Sequence, residues 1–146
     1  MVDTGAPGTE IWGYNIEGKV LCSPTVVDET VYVGSTDGVY TLDAHTGNVE
    51  WMHRTTLAVV SSPEVVGDTL DTLYFGSKDH CVYALDAHTG AEKWKYSTGE
   101  PVETSPAILR NTMYVGDNIY RSDTTLYFGN RDNNVYALDA NSGNQK

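Results

Sequence analysis

Apolar residues along this chain fall in short runs that alternate with polar positions and are bounded by glycine, proline and aspartate. The runs are rich in β-branched and tyrosine side chains, as in Thr30–Ser35 (TVYVGS) and Val39–Ala44 (VYTLDA). A two-residue alternation between turn residues is typical of β-strands. The pattern predicts an all-β protein, with a first strand at Ser23–Val27 and a fourth around Trp51.

The same pattern occurs in three copies along the chain. The copies are Ser23–Trp51, Ser61–Trp94 and Ser105–Lys146. Repeats of about 40 residues that each hold four strands have the period of β-propeller blades. We therefore predict a single domain over residues 1–146, made of three four-stranded antiparallel blades at approximately 10–50, 51–93 and 94–146.

Each copy contains a turn of the form Leu-Asp-Ala-x-x-Gly, and a tryptophan follows this turn in the first two copies. The aspartate of such a turn can accept backbone hydrogen bonds, and the glycine can adopt a positive φ. A tryptophan on an outer strand can cover the turn of the neighbouring blade. The residues expected to join blades in this way are Asp43, Gly47, Asp86, Gly90, Asp139, Gly143, Trp12, Trp51 and Trp94.

These motifs resemble the tryptophan-docking repeat of quinoprotein-like (PQQ-like) β-propellers. The resemblance rests on L-D-A-x-T-G-x-x-x-W, preceded by S-P and by Y-V-G-S-x-D-G, and it extends over Gly8–Lys146. It implies a propeller, an architecture that typically closes with about 4–8 blades. Three blades would then be part of a longer propeller or half of a six-bladed assembly.

Two features depart from the repeat. The third copy is longer, and we predict an added excursion at residues 111–123 between its first two strands. The tryptophan expected after Gly143 would stand at position 147, whereas Glu10–Tyr14 (EIWGY) is predicted to be an outer strand with no blade before it. This orphan strand can complete the last blade of its own chain or of another chain, which would protect a sheet edge.

Catalysis is the sharp alternative that the resemblance raises. In the enzymes that this repeat resembles, a quinone lies over a tryptophan floor beside a disulfide of adjacent cysteines. Calcium is held there by Glu, Asn and Asp, and an Asp acts as base. This sequence has no adjacent cysteine pair, and its three tryptophans all fit the docking pattern. No catalytic residue is carried over, and PQQ and calcium are implied by the resemblance alone.

Metal binding is a second alternative, raised by the repeated aspartates Asp37, Asp79 and Asp132. A ring of carboxylates can bind a cation, but hairpin turns favour aspartate in any protein, and the spacing of a calcium loop is not present. His45 and His88 occupy equivalent turns of different blades, so a blade repeat separates them. We therefore predict turn chemistry and assign no metal ligand.

Charge narrows the class of partner. The chain has 9 Lys and Arg against 20 Asp and Glu, a formal net charge of −11. This charge repels nucleic-acid phosphates and anionic lipid headgroups, so neither is an expected partner. Because the acids are spread over turns and strand ends, we predict a halophilic source.

Cysteine usage and the first residues bear on the compartment. Cys22 and Cys81 lie far apart, at positions where other copies carry Ser, Thr or Asn, so we expect small buried thiols and no disulfide. Met1–Glu10 lacks a basic start followed by an apolar stretch, and no run approaches the ~18 apolar residues of a membrane span. The expectation is a cytoplasmic protein if the chain is complete.

The sequence favours a non-enzymatic scaffold that binds a protein or ligand through loops on a rigid frame. By resemblance, the binding face is built from residues 14–22, 53–60 and 96–104 together with the three aspartate hairpins. Its candidate residues are Lys19, Arg54, Asp37, Lys78, Asp79, His80, Arg131 and Asp132. The alternative is a fragment of a PQQ-dependent alcohol or sugar dehydrogenase, with cofactor and metal ligands in missing blades.

Self-association, or binding to another protein, is the expected partnership, because three blades leave apolar faces without a neighbour. Val26, Val33 and Val82 are the side chains expected to meet water in a monomer. Two chains would supply six blades, within the range of about 4–8 that closes. Glu10–Tyr14 of one copy is then expected to add to the edge at Val135–Ala140 of the other.

Overall fold

The computed structural model describes residues 6–66, 71–115 and 118–146, and for 111–115 and 118–123 it describes the backbone alone. Over these residues every helix or strand element is a β-strand, which confirms the predicted all-β class. The strands are β1 (Thr25–Val27), β2 (Thr30–Ser35), β3 (Gly38–Asp43), β4 (Val49–Arg54), β5 (Glu64–Val66), β6 (Thr72–Gly76), β7 (Cys81–Asp86), β8 (Glu92–Ser97), β9 (Ala107–Val115), β10 (Asn118–Gly129) and β11 (Val135–Asp139). In this part of the chain no helix is long and apolar enough to span a bilayer.

The first two blades are four-stranded antiparallel sheets with the same order. Blade 1 is β1-β2-β3-β4, and blade 2 is β5-β6-β7-β8. The register shifts at the same point before the outer strand, between Thr41 and Leu42 in blade 1 and between Ala84 and Leu85 in blade 2. The second and third strands of each blade are largely buried on both faces, which is why they read as nearly continuous apolar runs.

Blade 3 has a sheet of three strands in the order β11-β10-β9, and one bridge stands where the predicted outer strand would begin. An isolated bridge joins Leu138 to Gln145. This bridge is equivalent to the first pair of the outer strand in blade 1, which joins Leu42 to Val49. Gln145 therefore occupies the first position of a fourth strand.

The extra residues of the third copy lengthen the hairpin between β9 and β10. Residues 111–115 and 118–123 continue the two strands as an antiparallel pair, from Asn111 opposite Asp123 to Val115 opposite Asn118. The register shifts between Arg121 and Asp123. The tip of the predicted excursion, residues 116–117, lies outside the described residues.

The hydrophobic core lies between successive blades. Blade 1 and blade 2 enclose one cluster, in which the two sheets are joined through their aromatic and branched side chains. Its fully or nearly fully buried members are Tyr32, Val39, Val59, Leu73, Phe75, Tyr83, Leu85 and Ala87. Blades 2 and 3 enclose the second cluster, formed by Tyr74, Val82, Ala84, Val102, Leu126, Phe128, Leu138 and Ala140. Each blade is thus held by its neighbour.

Two predictions were wrong, namely the exposure of Val33 and Val82 and a strand at Glu10–Tyr14. Val33 and Val82 are 5% and 0% exposed, whereas Val26 is 58% exposed as expected. Val82 faces blade 3, and near Val33 the chain that precedes β1 pairs with the end of β2 through the bridge between Val20 and Ser35. Glu10–Tyr14 is not a strand, because the sheet that it would extend is not beside it.

Candidate binding face and blade junctions

The turns between the third and fourth strands have the same hydrogen bonds in every blade. Asp43 Oδ1 accepts from the backbone N–H of His45 at 3.0 Å and from both the N–H and the hydroxyl of Thr46, at 2.7 and 2.8 Å. Asp86 and Asp139 accept the equivalent three bonds. The turns close on glycines with positive φ, namely Gly47 (73°), Gly90 (73°) and Gly143 (74°).

These bonds favour the charged form of the turn aspartates. The hydrogen bonds from Thr46 hold the pKa of Asp43 below its ordinary value, and those from Ser142 do the same for Asp139. Burial raises the pKa of Asp86, but the bonds that it accepts outweigh this effect, so its pKa is also lowered.

A tryptophan ring lies directly on each of these turns. The indole N–H donates to a backbone carbonyl in the turn, from Trp12 to Ala44 at 2.9 Å, from Trp51 to Ala87 at 3.1 Å and from Trp94 to Ala140 at 3.0 Å. The glycine makes room for the ring, since a Cβ on Gly90 would lie 2.6 Å from Trp51 Cε3. Trp51 leaves blade 1 to reach blade 2, and Trp94 leaves blade 2 to reach blade 3.

A tyrosine that the sequence reading missed binds the same carbonyls. Tyr32 Oη donates to Ala87 O at 3.3 Å, and Tyr74 Oη donates to Ala140 O at 2.8 Å. Each junction between blades therefore has two donors from the preceding blade on one turn carbonyl. The signal was present, because a tyrosine recurs at the third position of the second strand in every copy.

The hairpins between the second and third strands carry the predicted aspartates Asp37, Asp79 and Asp132. Each accepts a hydrogen bond from the tyrosine that follows it on the third strand. The pairs are Tyr40 to Asp37 (2.8 Å), Tyr83 to Asp79 (2.7 Å) and Tyr136 to Asp132. The recurrence of Tyr three or four residues after Asp was the available signal.

The three tyrosines of these pairs have raised pKa values. Burial and the bond to Asp37 raise the pKa of Tyr40 to about 12, and the same causes raise the pKa of Tyr83. Burial raises the pKa of Asp37, but the hydrogen bonds from Ser35 and Tyr40 more than offset it, so the net shift is downward. The hydrogen bond from Tyr136 lowers the pKa of Asp132. The carboxylates are engaged within their own hairpins.

The basic candidates of the binding face are paired across loops and blades. Lys78 Nζ and Arg131 Nε approach the two oxygens of Glu103 at 3.2 and 2.7 Å. Arg54 lies 3.5 Å from both Glu17 and Asp37. The bonds from Arg131 and Lys78 hold the pKa of Glu103 below its ordinary value. Glu103 and Glu17 were missed because no repeat position marks them.

The remaining candidates of this face have backbone roles in the described structure. The N–H of Lys19 donates to Thr36 Oγ1 at 2.9 Å, which fixes the loop before blade 1 on its first hairpin. His80 has a φ of 72° and ends the second hairpin turn. The structure thus brings Lys78 and Arg131 together, and it leaves Lys19 and His80 outside that pair.

The first cysteine replaces a hydroxyl in a repeated contact. Ser61 Oγ donates to Gly76 O at 2.9 Å, and Thr104 Oγ1 donates to Gly129 O at 2.7 Å. Cys22 Sγ lies 3.5 Å from the equivalent Gly34 O. Cys22 and Cys81 are both free and partly buried, and burial raises the pKa of each thiol.

His45 and His88 each pair with a carboxylate of their own blade. His88 Nε2 lies 2.5 Å from Asp71 Oδ2, and His45 Nε2 lies 3.5 Å from Glu29 Oε1. Over residues 6–66, 71–115 and 118–146, apart from side chains 111–123, no three His, Cys, Asp or Glu side chains converge as a metal site.

Models of known protein families match the chain in two parts. The model described as the β-propeller domain of glucose, ethanol and alcohol dehydrogenases (PQQ) matches residues 56–146. The model described as outer membrane protein assembly factor BamB (PQQ_2) matches residues 3–70. No curated protein matches the chain by sequence.

Solved structures share the fold at low sequence identity. BamB from Moraxella catarrhalis is 21% identical with a TM-score of 0.69, over 97% of this chain and 40% of that one. The computationally designed Ika4 protein is 16% identical with a TM-score of 0.70, over 95% and 78%. Quinohemoprotein alcohol dehydrogenase from Comamonas testosteroni is 24% identical with a TM-score of 0.68, over 93% and 22%.

The two family models assign this chain to one family. The dehydrogenase propeller model covers more than half of the chain, and the BamB model covers most of the remainder. The chain spans less than half of the BamB and dehydrogenase structures, so it corresponds to part of those propellers. It is a member of the PQQ-like β-propeller repeat family.

Proposed function

We propose that this chain is a non-enzymatic propeller scaffold that binds a protein or ligand through one end of its blades. The binding face consists of the hairpins between second and third strands and the loops that enter each blade. The observation that supports this proposal is the Lys78–Glu103–Arg131 cluster, in which charges from two blades are fixed in one place. The Lys78 and Arg131 side chains are 42% and 65% exposed, so both remain accessible.

Within this face, the charged side chains have two roles: the aspartates hold the hairpins, and the basic residues are proposed to bind the partner. The hairpin aspartates are engaged by tyrosines, and they shape the surface. Arg54, Lys78 and Arg131 remain 64%, 42% and 65% exposed within their ion pairs, on a protein whose net charge is −11. The Lys78–Glu103–Arg131 cluster has two cations for one carboxylate, and this local excess suits an acidic group of a partner, which the rest of an acidic protein repels.

Affinity capture tests this face. The wild-type chain and a Arg54→Ala/Lys78→Ala/Arg131→Ala variant are immobilised and exposed to extract from the source cells. A partner retained by the wild type and lost with the variant supports the proposal. Lys95→Ala, an exposed lysine on the outer strand of blade 2, is the control. Equal retention by all three proteins would exclude the proposed face.

We also propose that a second copy of the chain covers the exposed side of blade 3 and so completes the propeller. This proposal is supported by apolar side chains on blade 3 that no neighbour covers, since Leu109, Tyr127 and Val135 are 49%, 39% and 81% exposed. Exposed apolar faces of this kind mark interaction surfaces. The molar mass in solution tests it directly.

A fragment of a quinone-dependent dehydrogenase is the second candidate function. The match of residues 56–146 to the dehydrogenase propeller model favours it. In this reading PQQ and calcium would be held by residues of further blades, and this chain supplies frame only. Addition of PQQ and calcium, with an alcohol or sugar and an electron-accepting dye, to a propeller that contains this chain together with those further blades tests it. Dye reduction above the rate without protein would support the enzyme and contradict the scaffold.

The acidic composition supports a proposal about the source. If the net charge of −11 is an adaptation to concentrated salt, screening should relieve repulsion between the carboxylates. The melting temperature should then rise as salt increases from about 0.1 M to the molar range. A constant or falling melting temperature would contradict a halophilic adaptation.

A further inference from the structure

A valine fills the space over the second-strand glycine at both junctions between blades. A Cβ placed on Gly34 would lie 2.7 Å from Val59 Cγ1, and one on Gly76 would lie 2.4 Å from Val102 Cγ1. The backbone N–H of each valine donates to the residue after the glycine, from Val59 to Ser35 O at 2.9 Å and from Val102 to Ser77 O at 3.0 Å.

Blade 3 has the same slot without its valine. A Cβ on Gly129, the glycine equivalent to Gly76, would meet nothing nearer than Thr104 Cγ2 at 3.6 Å. Tyr127, the equivalent of Tyr74, is 39% exposed where Tyr74 is 3% exposed. The open side of blade 3 therefore has the form of the junction surfaces in the rest of the molecule, with its filling side chain missing.

The chain carries the missing valine at its other end. Val20 precedes Pro24 by four residues, as Val59 precedes Pro63 and Val102 precedes Pro106. Val59 and Val102 are 0% exposed, but Val20 is 48% exposed. Val20 is thus the equivalent of a buried junction residue, and it lies on the surface because no other blade among the described residues packs against it.

A strand and a turn complete the match. In blade 2, Trp94 lies opposite Ala84 and Tyr96 lies opposite Val82. By the same register, Trp12 and Tyr14 would lie opposite Ala137 and Val135 of blade 3, after the position that Gln145 already occupies. The turn carbonyl of Ala44 accepts from Trp12, as Ala87 accepts from Trp51 in blade 2. It would receive Tyr127 as its second donor.

We propose that residues 12–20 of a second copy dock on the open side of blade 3, with Val20 in the slot over Gly129 and Trp12–Tyr14 as its fourth strand. The same contact in the opposite sense closes a two-fold ring of six blades. This inference rests on the proposed self-association and assigns the residues that perform it.

The donor of this segment is a second chain and not the same one. Trp12 is held on Ala44 and Gly47 of blade 1, and Lys19 is held on Thr36 of the same blade. Blade 2 lies between this segment and blade 3. The contacts at blade 1 are also those that a docked segment keeps, since Trp51 in blade 1 likewise lies on the turn of the following blade.

Gly129→Ala tests the slot. The single chain accommodates the methyl group, because its nearest neighbour would be at ordinary contact distance, whereas Val20 of the second copy would clash with it. We expect the dimer dissociation constant to rise about tenfold or more, with melting of the dilute monomer unchanged. Val20→Ala should also weaken the dimer, and Leu57→Ala, an exposed loop residue outside the contact, is its control.

A disulfide tests the register. Tyr14→Cys/Val135→Cys, with Cys22→Ser and Cys81→Asn, should give a covalent dimer on oxidation. Tyr14→Cys/Tyr136→Cys, displaced by one residue, should not. Mixing two tagged forms shows whether each bond joins different chains.

The results separate the docking mode from self-association. A dimer that resists Gly129→Ala and forms no Tyr14–Val135 cross-link would overturn the docking mode and leave self-association standing. A chain that stays monomeric in about 0.5 M salt, where repulsion between the acidic copies is screened, would overturn both. Cross-links within one chain would assign the segment to its own blade 3.

Discussion

Blade 2 and blade 3 have the same sequence in their second strands and different surroundings. Thr72–Gly76 and Thr125–Gly129 both read TLYFG, and VYALDA follows in each blade. Val82 is 0% exposed, whereas its equivalent Val135 is 81% exposed. Local sequence makes both segments strands, but burial depends on whether another blade follows. The comparison shows that the junctions between blades decide which strand residues are buried, and we expect the stability of the fold to depend on them.

Substitution of the tryptophans should cause the largest loss in the free energy of unfolding. Trp51→Ala removes a ring that joins blade 1 to blade 2, and it should lower the free energy of unfolding by about 3–5 kcal/mol. Trp12→Ala should cost less than half as much, because Trp12 covers the turn of blade 1 but does not itself belong to a blade in the described structure. Urea denaturation measures both. If Trp51→Ala melts with the parent, the docking role assigned to the tryptophans is wrong.

The next largest effect on stability should come from alanine substitutions of the second-strand glycines, which should differ between blades 2 and 3. A methyl group on Gly76 would overlap Val102, so Gly76→Ala should cost about 1–3 kcal/mol. Gly129→Ala should be close to neutral in the dilute monomer, since the space over it is open. Equal costs at the two positions would show that the slot on blade 3 is already filled.

Removal of a single hydroxyl from the equivalent tyrosines Tyr74 and Tyr127 compares the two blades more finely. Tyr74→Phe leaves the carbonyl of Ala140 without its tyrosine donor and should cost about 0.5–1.5 kcal/mol. Tyr127→Phe should leave the stability of the dilute monomer unchanged. In the dimer, Tyr127→Phe should cost as much as Tyr74→Phe, which chemical denaturation at high protein concentration would detect.

Acid should affect the two blades alike. The folded pKa values of Asp86 and Asp139 lie below the ordinary 3.8, so their contribution is present above that value. It is lost as the pH falls through the lower folded pKa. Asp86→Asn and Asp139→Asn should therefore each make the melting temperature depend slightly less on pH in the acid range, by similar amounts. A much larger effect in blade 2 would contradict the equivalence of the turns.

The repeat made most of the fold predictable. Because each copy carries the same proline, glycine and aspartate punctuation, the inner strands of blade 1 were predicted nearly to their observed limits. The turns of Asp43 and Gly47 followed from local hydrogen bonding, which depends on few residues. Positions that depend on a neighbouring blade were harder, and the burial of Val33 and Val82 was not foreseen.

The candidate site was predicted only in part. The basic residues of the candidate face were chosen because they lie in loops at one end of the blades, and their binding role stays a prediction. Their partner Glu103 was missed, because an ion pair between blades leaves no periodic signal in the sequence. Glu10–Tyr14 was predicted as a strand from its tryptophan, but a strand needs a second edge to pair with, and blade 1 of the same chain offers none at that position.

The molar mass of the unaltered chain tests the central claim most directly. Size exclusion coupled to light scattering, in about 0.5 M salt so that repulsion between acidic chains is screened, measures it without any substitution. The account predicts a particle of twice the 16.0 kDa chain mass. A compact particle of 16.0 kDa that melts in one sharp transition would contradict it.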